Sequence, residues 1–219
     1  MRTIEILNLG RVEYRDAYEY QRARVQKRQA DEVPDCLIMV EHPPVITLGR
    51  GGGWNNIVVS RDFLRERGVE VFETERGGNV TFHGPGQLVG YPIIKLDRGE
   101  RDLHRLLALY EEAIITAIGR YGIRGEHKPG LVGVWVSNRK IASIGVCVAK
   151  WVTFHGFAIN VSVDMRWFEM INPCGLEASI MTSMEEVTGK AHSVEELVLP
   201  VGLAFAEVLG REPVYASIS

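Results

Sequence analysis

The sequence predicts a single α+β domain over residues 1–219, on three observations. Leu103, Leu106, Leu107, Tyr110, Ala113, Ile114, Ala117, Ile118 and Tyr121 recur at helical spacing behind Asp102, which can cap them, and Gly122 follows. Residues 131–161 then change to strand patterning in three runs, 131–136, 140–148 and 153–161, with turns at Ser137-Asn138-Arg139 and near Lys150, which reads as an antiparallel meander. No repeat or linker divides the 219 residues.

The remaining elements follow in order. A strand is expected over 3–9, then a charged helix within 11–31, with Tyr14, Ala17, Tyr18 and Val25 on one stripe and Pro34 beyond its end. Arg22, Arg24, Lys27 and Arg28 on this helix are either a solvated face or a dock for an acidic protein. Residues 36–40 form a continuous apolar run, hence a buried strand, and 45–48 resume in extended form after Glu41-His42-Pro43-Pro44. Gly49-Arg50-Gly51-Gly52-Gly53 lacks the Gly-Lys-Ser/Thr ending of a phosphate loop and reads as a flexible connector. Ser60 caps a short helix closed by Gly68, and a strand starts at Val69. Ser183 and Ser193 each precede Glu at capping-box spacing and start helices, the second kinked or restarted at Pro200.

Composition excludes several classes of function. Hydrophobic residues are 46% and charged residues 24%, enough for a sizeable core and unlike a disordered chain. A net charge of -3 argues against coating nucleic acid. Cys36, Cys147 and Cys174 form no C-x-x-C pair, so neither a disulfide framework nor a zinc site is suggested, and a reducing cytoplasm fits. No signal-peptide pattern opens the sequence, and no stretch reaches membrane-spanning length.

Residues 76–87, Arg-Gly-Gly-Asn-Val-Thr-Phe-His-Gly-Pro-Gly-Gln, have an order that no apolar core requires. Glycine allows close backbone approach and proline stiffens a turn, so this is either a shaped ligand loop or a glycine-rich hairpin connection. Cys36 and Cys147 sit inside apolar strands, where a thiol behaves as an inert small hydrophobe. Cys174 is flanked by Pro173 and Gly175 in a turn that would present its sulfur and bring a backbone N–H near an oxyanion. A thiol needs a base or cation beside it to be nucleophilic, and Lys140 and His83 are the candidates. Only six of the 25 basic residues are lysines, which makes a lysine at a functional-looking position less of an accident. Solvated-turn and turn-stabilising roles remain open for Lys140 and His83 on the residues alone.

The 76–87 stretch, together with Gly133-Val134-Trp135-Val136, Arg139-Lys140-Ile141-Ala142-Ser143-Ile144-Gly145-Val146, His155-Gly156-Phe157-Ala158-Ile159-Asn160-Val161 and Pro173-Cys174-Gly175, resembles the lipoyl(octanoyl) transferase family. The resemblance runs from about Glu41-His42-Pro43-Pro44 to Thr182-Ser183, with the motifs in the family's order. It implies the fold of lipoate and biotin protein ligases, a mixed, mostly antiparallel sheet flanked by helices. It also implies transfer of an octanoyl group from octanoyl-acyl carrier protein to a lysine of lipoyl domains, those of 2-oxoacid dehydrogenase complexes and of glycine cleavage H protein. The enzyme is expected to be a cytoplasmic monomer that needs no metal or other cofactor and binds neither nucleic acid nor membrane.

By the same resemblance Cys174 matches the acyl-thioester nucleophile and Lys140 its partner base. Arg76, Gly77, Gly78, Asn79, Val80, Thr81, Phe82 and His83 match the acyl-binding loop, with Ser143, Ile144 and Gly145 and with Gly156, Phe157 and Ala158 lining the same pocket. Phe82 stands where the family often has tyrosine, which removes a hydroxyl. An ATP-dependent lipoate ligase on the same scaffold is the alternative enzyme, against which Cys174 speaks. A non-catalytic lipoyl-domain or carrier-protein binder is the alternative outside catalysis, against which the pair of Lys140 and Cys174 speaks.

Overall fold

The computed structural model describes residues 2–172 and 180–215. In chain order its elements are β1 (Thr3–Arg11), α1 (Tyr14–Gln29), β2 (Asp35–Glu41), β3 (Val45–Leu48), α2 (Arg61–Glu66), β4 (Glu70–Glu73), β5 (Val80–His83) and β6 (Gln87–Ile93), then α3 (Leu103–Gly119), β7 (Glu126–Lys128), β8 (Leu131–Val136), β9 (Arg139–Ala149), β10 (Val152–Asn160), α4 (Met184–Thr188), α5 (Val194–Val208) and β11 (Glu212–Tyr215). An eight-stranded sheet has the order β11-β1-β2-β6-β10-β9-β8-β7, and a smaller sheet has the order β4-β3-β5. The large sheet is parallel only where β1 meets β11 and β2, and antiparallel elsewhere.

The apolar run of β2 exists because both of its faces are covered. Cys36, Ile38 and Val40 join Val89, Tyr91 and Val25 beneath α1, while Leu37 and Met39 join Leu88, Ile114, Ile159 and Phe205 beneath α3 and α5. That alternation is the period-two geometry of a strand, with an apolar residue needed at every position. A third core, with Ile46, Val80, Phe82 and Phe168, fills the small sheet.

Helix ends follow the sequence expectations closely. Asp102 accepts from the N–H groups of His104 and Arg105 (2.9 and 3.1 Å), and Ser60, Ser183 and Ser193 accept from the N–H groups of Phe63, Glu186 and Glu196. Pro200 neither stops α5 nor restarts it: the helix runs on to Val208. Proline cannot supply the N–H that would bond Glu196 O, and the hydroxyl of Tyr121 donates to that carbonyl instead, at 2.9 Å. The connector 49–53 also departs from expectation. The N–H groups of Gly49, Arg50 and Gly51 bond the carbonyls of Asn79, Arg76 and Gly78, so it is a ladder against the glycine loop. On α1, Arg22, Arg24 and Arg28 each meet a carboxylate of their own chain, Glu75, Glu5 and Asp35, rather than standing open for an acidic partner. No helix among the described residues is long and apolar enough to cross a membrane.

Asp35, 1% exposed, is the most enclosed charge among the described residues. It accepts from Arg28 Nε (2.8 Å), Arg211 Nε (3.0 Å) and Lys95 N (3.0 Å), joining α1, the end of β6 and the approach to β11. Beside it, burial alone would raise the Glu100 carboxyl, but hydrogen bonds from Arg2, Asp97 N and Arg211 outweigh burial and hold it down to about 2. Replacing Asp35 with alanine leaves two buried guanidiniums facing an apolar gap. Asp35→Ala is expected to cost about 3–5 kcal/mol in urea unfolding, and a loss below about 1 kcal/mol would show that Arg28 and Arg211 find water when the carboxylate is removed.

Candidate active site

The site begins where β8 and β9 part. Their pairing runs from Val136↔Arg139 to Val134↔Ala142 and goes no further, although β9 continues to Ala149. The edge released on β9 is taken by the glycine loop, whose Gly77 N–H bonds Val146 O at 2.9 Å. Gly145 is glycine for this approach, since a Cβ there would lie 2.8 Å from Gly77 O. Arg76 anchors the loop from the other side, with Nε and Nη2 donating to Thr47 Oγ1 (3.1 and 3.0 Å) and Nη2 also to Thr47 O (2.7 Å).

A cavity of about 450 Å³ lies between this loop, the middle of the large sheet and α1. Of the residues expected at the site, Arg76, Gly77, Gly78, Asn79, Val80, Thr81, His83, Lys140, Ser143, Ile144, Gly145, Gly156, Phe157 and Ala158 all line it. Phe82 does not. Its ring is fully buried in the small-sheet core, stacked on Trp167 at 5.2 Å and edge-on to Phe168 at 5.9 Å. The tip of the ring abuts Gly84, where a Cβ would lie 2.5 Å from Phe82 Cζ, which gives phenylalanine at position 82 a packing reason. Cys174 lies outside the described residues, while Ile180 and Met181 of the same stretch line the cavity and Met181 bridges Lys140.

Lys140 is no solvated turn residue. It is 8% exposed, its Nζ donates to Val132 O at 3.0 Å, and it stands 4.9 Å over the ring of Trp135. Its backbone is fixed by a hydrogen-bonded chain that crosses the site. His83 Nδ1 meets Gln87 Oε1 (2.7 Å), Gln87 Nε2 donates to Asn160 Oδ1 (2.9 Å), Asn160 Nδ2 donates to Thr182 O (2.9 Å), and Thr182 N donates to Lys140 O (3.0 Å). Because Gln87 presents its carbonyl oxygen to His83, Nδ1 carries the proton and Nε2 is left as an acceptor.

The far wall was not visible in the sequence. Tyr14 from α1 and Val89 and Tyr91 from β6 close it, with Tyr14 stacked 6.1 Å from His83. His42 Nδ1 meets Val12 O and its Nε2 meets the Tyr91 hydroxyl, both at 2.7 Å. A carbonyl only accepts, so Nδ1 is the protonated nitrogen and Tyr91 donates to Nε2. His155 adds a bend, with φ of 55° inside β10, its N–H bonded to Gln21 Oε1 at 3.0 Å.

The imidazoles around this cavity are neutral. Burial drives His83 down to about 3, helped by His42 and Arg76, and drives His42 and His155 down to about 4 against the pull of Val12 O and Glu75 respectively. His83 therefore supplies no cation for a thiol. Burial also raises the Cys36 thiol to about 12 and raises Cys147, in keeping with their inert assignment. Among the described residues no group of three or more His, Cys, Asp or Glu is placed to hold a metal ion.

These depressed histidines make an acid-sensitive fold. Between the ordinary histidine value near ~6.5 and the folded values, the unfolded chain takes up protons that the folded one refuses, so stability falls as pH drops through that window. The thermal midpoint is expected to fall steadily from pH 7 to pH 5, each histidine contributing up to about 1.4 kcal/mol per pH unit. The carboxylate of Glu100 adds its own loss only below about pH 4.5. A midpoint unchanged between pH 7 and pH 5 would mean that the imidazoles charge without unfolding.

The comparisons with known proteins agree with this geometry. The family described as lipoyl protein ligase A/B catalytic domain matches residues 13–206. The octanoyltransferase of Rubrobacter xylanophilus is 45% identical over 203 residues, 92% of this chain and 91% of that protein. The octanoyltransferase of Solibacter usitatus is 46% identical over 90% of this chain and 89% of its own length. Among solved structures, lipoate-protein ligase A bound with ATP superposes with a TM-score of 0.85 at 16% identity, over 100% of this chain and 90% of that one. The apo biotin protein ligase of Aquifex aeolicus gives 0.54 at 13% identity, over 96% and 70%. The fold is thus that of the lipoate and biotin protein ligases, and the chain belongs to the octanoyltransferase family of lipoyl(octanoyl) transferases.

Proposed function

We propose that the chain moves an octanoyl group from the thioester of an acyl carrier protein to a lysine amine of a lipoyl domain, through an acyl-enzyme on Cys174 with Lys140 as its proton partner. The observation that carries this reading is the burial of Lys140 in the wall of a cavity with much apolar lining and neutral imidazoles. In such a low-dielectric setting a lysine beside a thiol favours the thiolate by opposite charge. The two protons are coupled, so the pair titrates as a unit.

In the first half-reaction the Cys174 thiolate attacks the thioester carbonyl. The new bond is from Cys174 sulfur to the acyl carbon, the bond that breaks is to the carrier's sulfur, and the leaving thiolate takes a proton from Lys140. Lys140, now neutral, removes a proton from the acceptor ammonium, whose amine attacks the acyl-enzyme to give the amide. Cys174 leaves as thiolate and one proton passes to water. In this reading, backbone N–H groups of the glycine loop stabilise the oxyanion. The exchange of one thioester for another is near thermoneutral, so no nucleotide is consumed.

The acceptor assignment is supported by one structural neighbour, a bipartite lipoate protein ligase from Thermoplasma acidophilum studied with its E2 lipoyl domain, at a TM-score of 0.77 and 14% identity over 100% of this chain and 87% of that one. For this chain, lipoyl domains of 2-oxoacid dehydrogenase complexes and glycine cleavage H protein are the acceptors of the reading.

Two experiments test it. Octanoyl carrier protein offered without acceptor, ATP or magnesium is expected to leave one hydroxylamine-labile octanoyl group on the peptide containing Cys174, discharged when a lipoyl domain is added. Cys174→Ser abolishes the adduct, whereas Cys36→Ser and Cys147→Ala retain it. Undiminished transfer by Cys174→Ser would place the reaction directly between thioester and amine, and strict dependence on ATP would make the chain a ligase. Lys140→Met is expected to keep the fold, because methionine suits a buried position, and to lower kcat by about 100-fold or more. Full turnover in the folded variant would assign Lys140 to structure.

A further inference from the structure

The peptide that receives the amine of Lys140 is itself gripped from behind. Val132 O and Gly133 N–H belong to one trans peptide, so they point in opposite directions. Lys140 Nζ takes the carbonyl at 3.0 Å, and Glu111 Oε1 of α3 accepts from the Gly133 N–H at 2.8 Å. We propose that Glu111 is a positioning residue for Lys140, acting through the Val132–Gly133 peptide. The inference rests on the catalytic reading of Lys140.

Three features bear it out. Glu111 is a carboxylate, 9% exposed, at the edge of the buried face of α3 beside Ile114 and Ile118, a place where a charge is costly unless something uses it. Gly133 holds φ at 124°, and a Cβ there would meet Ala142 O at 2.6 Å and Lys140 Cε at 3.2 Å, so the conformation that aims Val132 O also leaves the space the lysine stem runs through. The peptide lies beyond the last β8–β9 pair, Val134↔Ala142, and within the register shift between the β7–β8 pairs Lys128↔Leu131 and Glu126↔Trp135, and there Glu111 takes its N–H.

The second oxygen of Glu111 is held too. His127 Nδ1 lies 2.7 Å from Oε2, its other nitrogen 3.4 Å from Glu112 Oε2, and the hydrogen bond to Glu111 raises the His127 pKa. An anionic acceptor at the N–H end polarises the peptide and makes its carbonyl a stronger acceptor for the lysine. A simple helix-to-strand tether would fix the same N–H, and the two roles differ in whether the effect passes through Lys140.

Octanoyl transfer by the full chain, from octanoyl carrier protein to a lipoyl domain, separates them. Glu111→Met removes the acceptor at equal bulk, Glu111→Asp keeps the charge but withdraws it by one methylene, and Glu111→Gln keeps the reach. Met and Asp are expected to lower kcat about tenfold or more with KM unchanged, since about 1 Å of misplacement costs that much, and Gln to recover most of the rate. In a Lys140→Met background, Glu111→Met should add no further loss. Wild-type kcat in the Met and Asp variants, a Gln variant as slow as Met, or an undiminished further loss in the double variant would each overturn the proposal. If the Met variant does not fold, Asp decides by the same criterion. Lys140→Met with full turnover would instead overturn the reading of Lys140 on which this one stands.

Discussion

The parting of β8 from β9 is the constraint on which the site depends. A strand in the middle of a sheet must bond its backbone on both edges, and β9 loses its partner after Ala142 while running on to Ala149. Two consequences follow from that shortage. Val146 O recruits Gly77 N–H, which draws the glycine loop across the sheet and roofs the cavity, and Val132 O, released on the β8 side, becomes the acceptor for Lys140. The lysine and the loop are thus placed by the same interruption of one hydrogen-bonded ladder.

The cavity walls combine apolar side chains with uncharged imidazoles, beside Arg76 and Lys140. His42, His83 and His155 are neutral because burial penalises the imidazolium; carbonyl, hydroxyl and amide partners orient the nitrogens of His42 and His83, while His155 Nε2 lies 3.6 Å from Glu75. Such walls suit an acyl chain, and they keep the local dielectric low, so that a charge partnership within them is strong. Arg76 is turned to structure, its guanidinium bonded to Thr47 and to Gly77 O.

The same architecture serves proteins that differ in chemistry. A lipoate-protein ligase A bound with ATP and an apo biotin protein ligase both superpose on this chain, at identities of 16% and 13%. A shared fold therefore says little about whether the acyl group arrives as an acid or as a thioester. Here the relatives at 45% and 46% identity carry the family, and the burial of Lys140 in the cavity wall supports the proposed chemistry.

Much of this was legible in sequence because it is local. Helix caps at Ser60, Asp102, Ser183 and Ser193, the 131–161 meander, the inert Cys36 and Cys147, and a stretch at 76–87 whose order no apolar core requires depend on residues a few positions apart. The motif order also located Lys140 and the cavity-lining residues of β9 and β10. What only tertiary structure decided is long-range. The second sheet and β11, the far wall of Tyr14 and Tyr91, and the turning of Phe82 into a separate core depend on which strand lies beside which. Tyr121 rescuing the carbonyl that Pro200 abandons joins residues 75 positions apart, and Glu111 gripping Gly133 joins residues 22 apart. Helical periodicity marks Glu111 only as a polar interruption of an apolar stripe. That it faces a peptide N–H of β8 follows from how β8 packs between β9 and β7, a property of packed strands rather than of any local pattern.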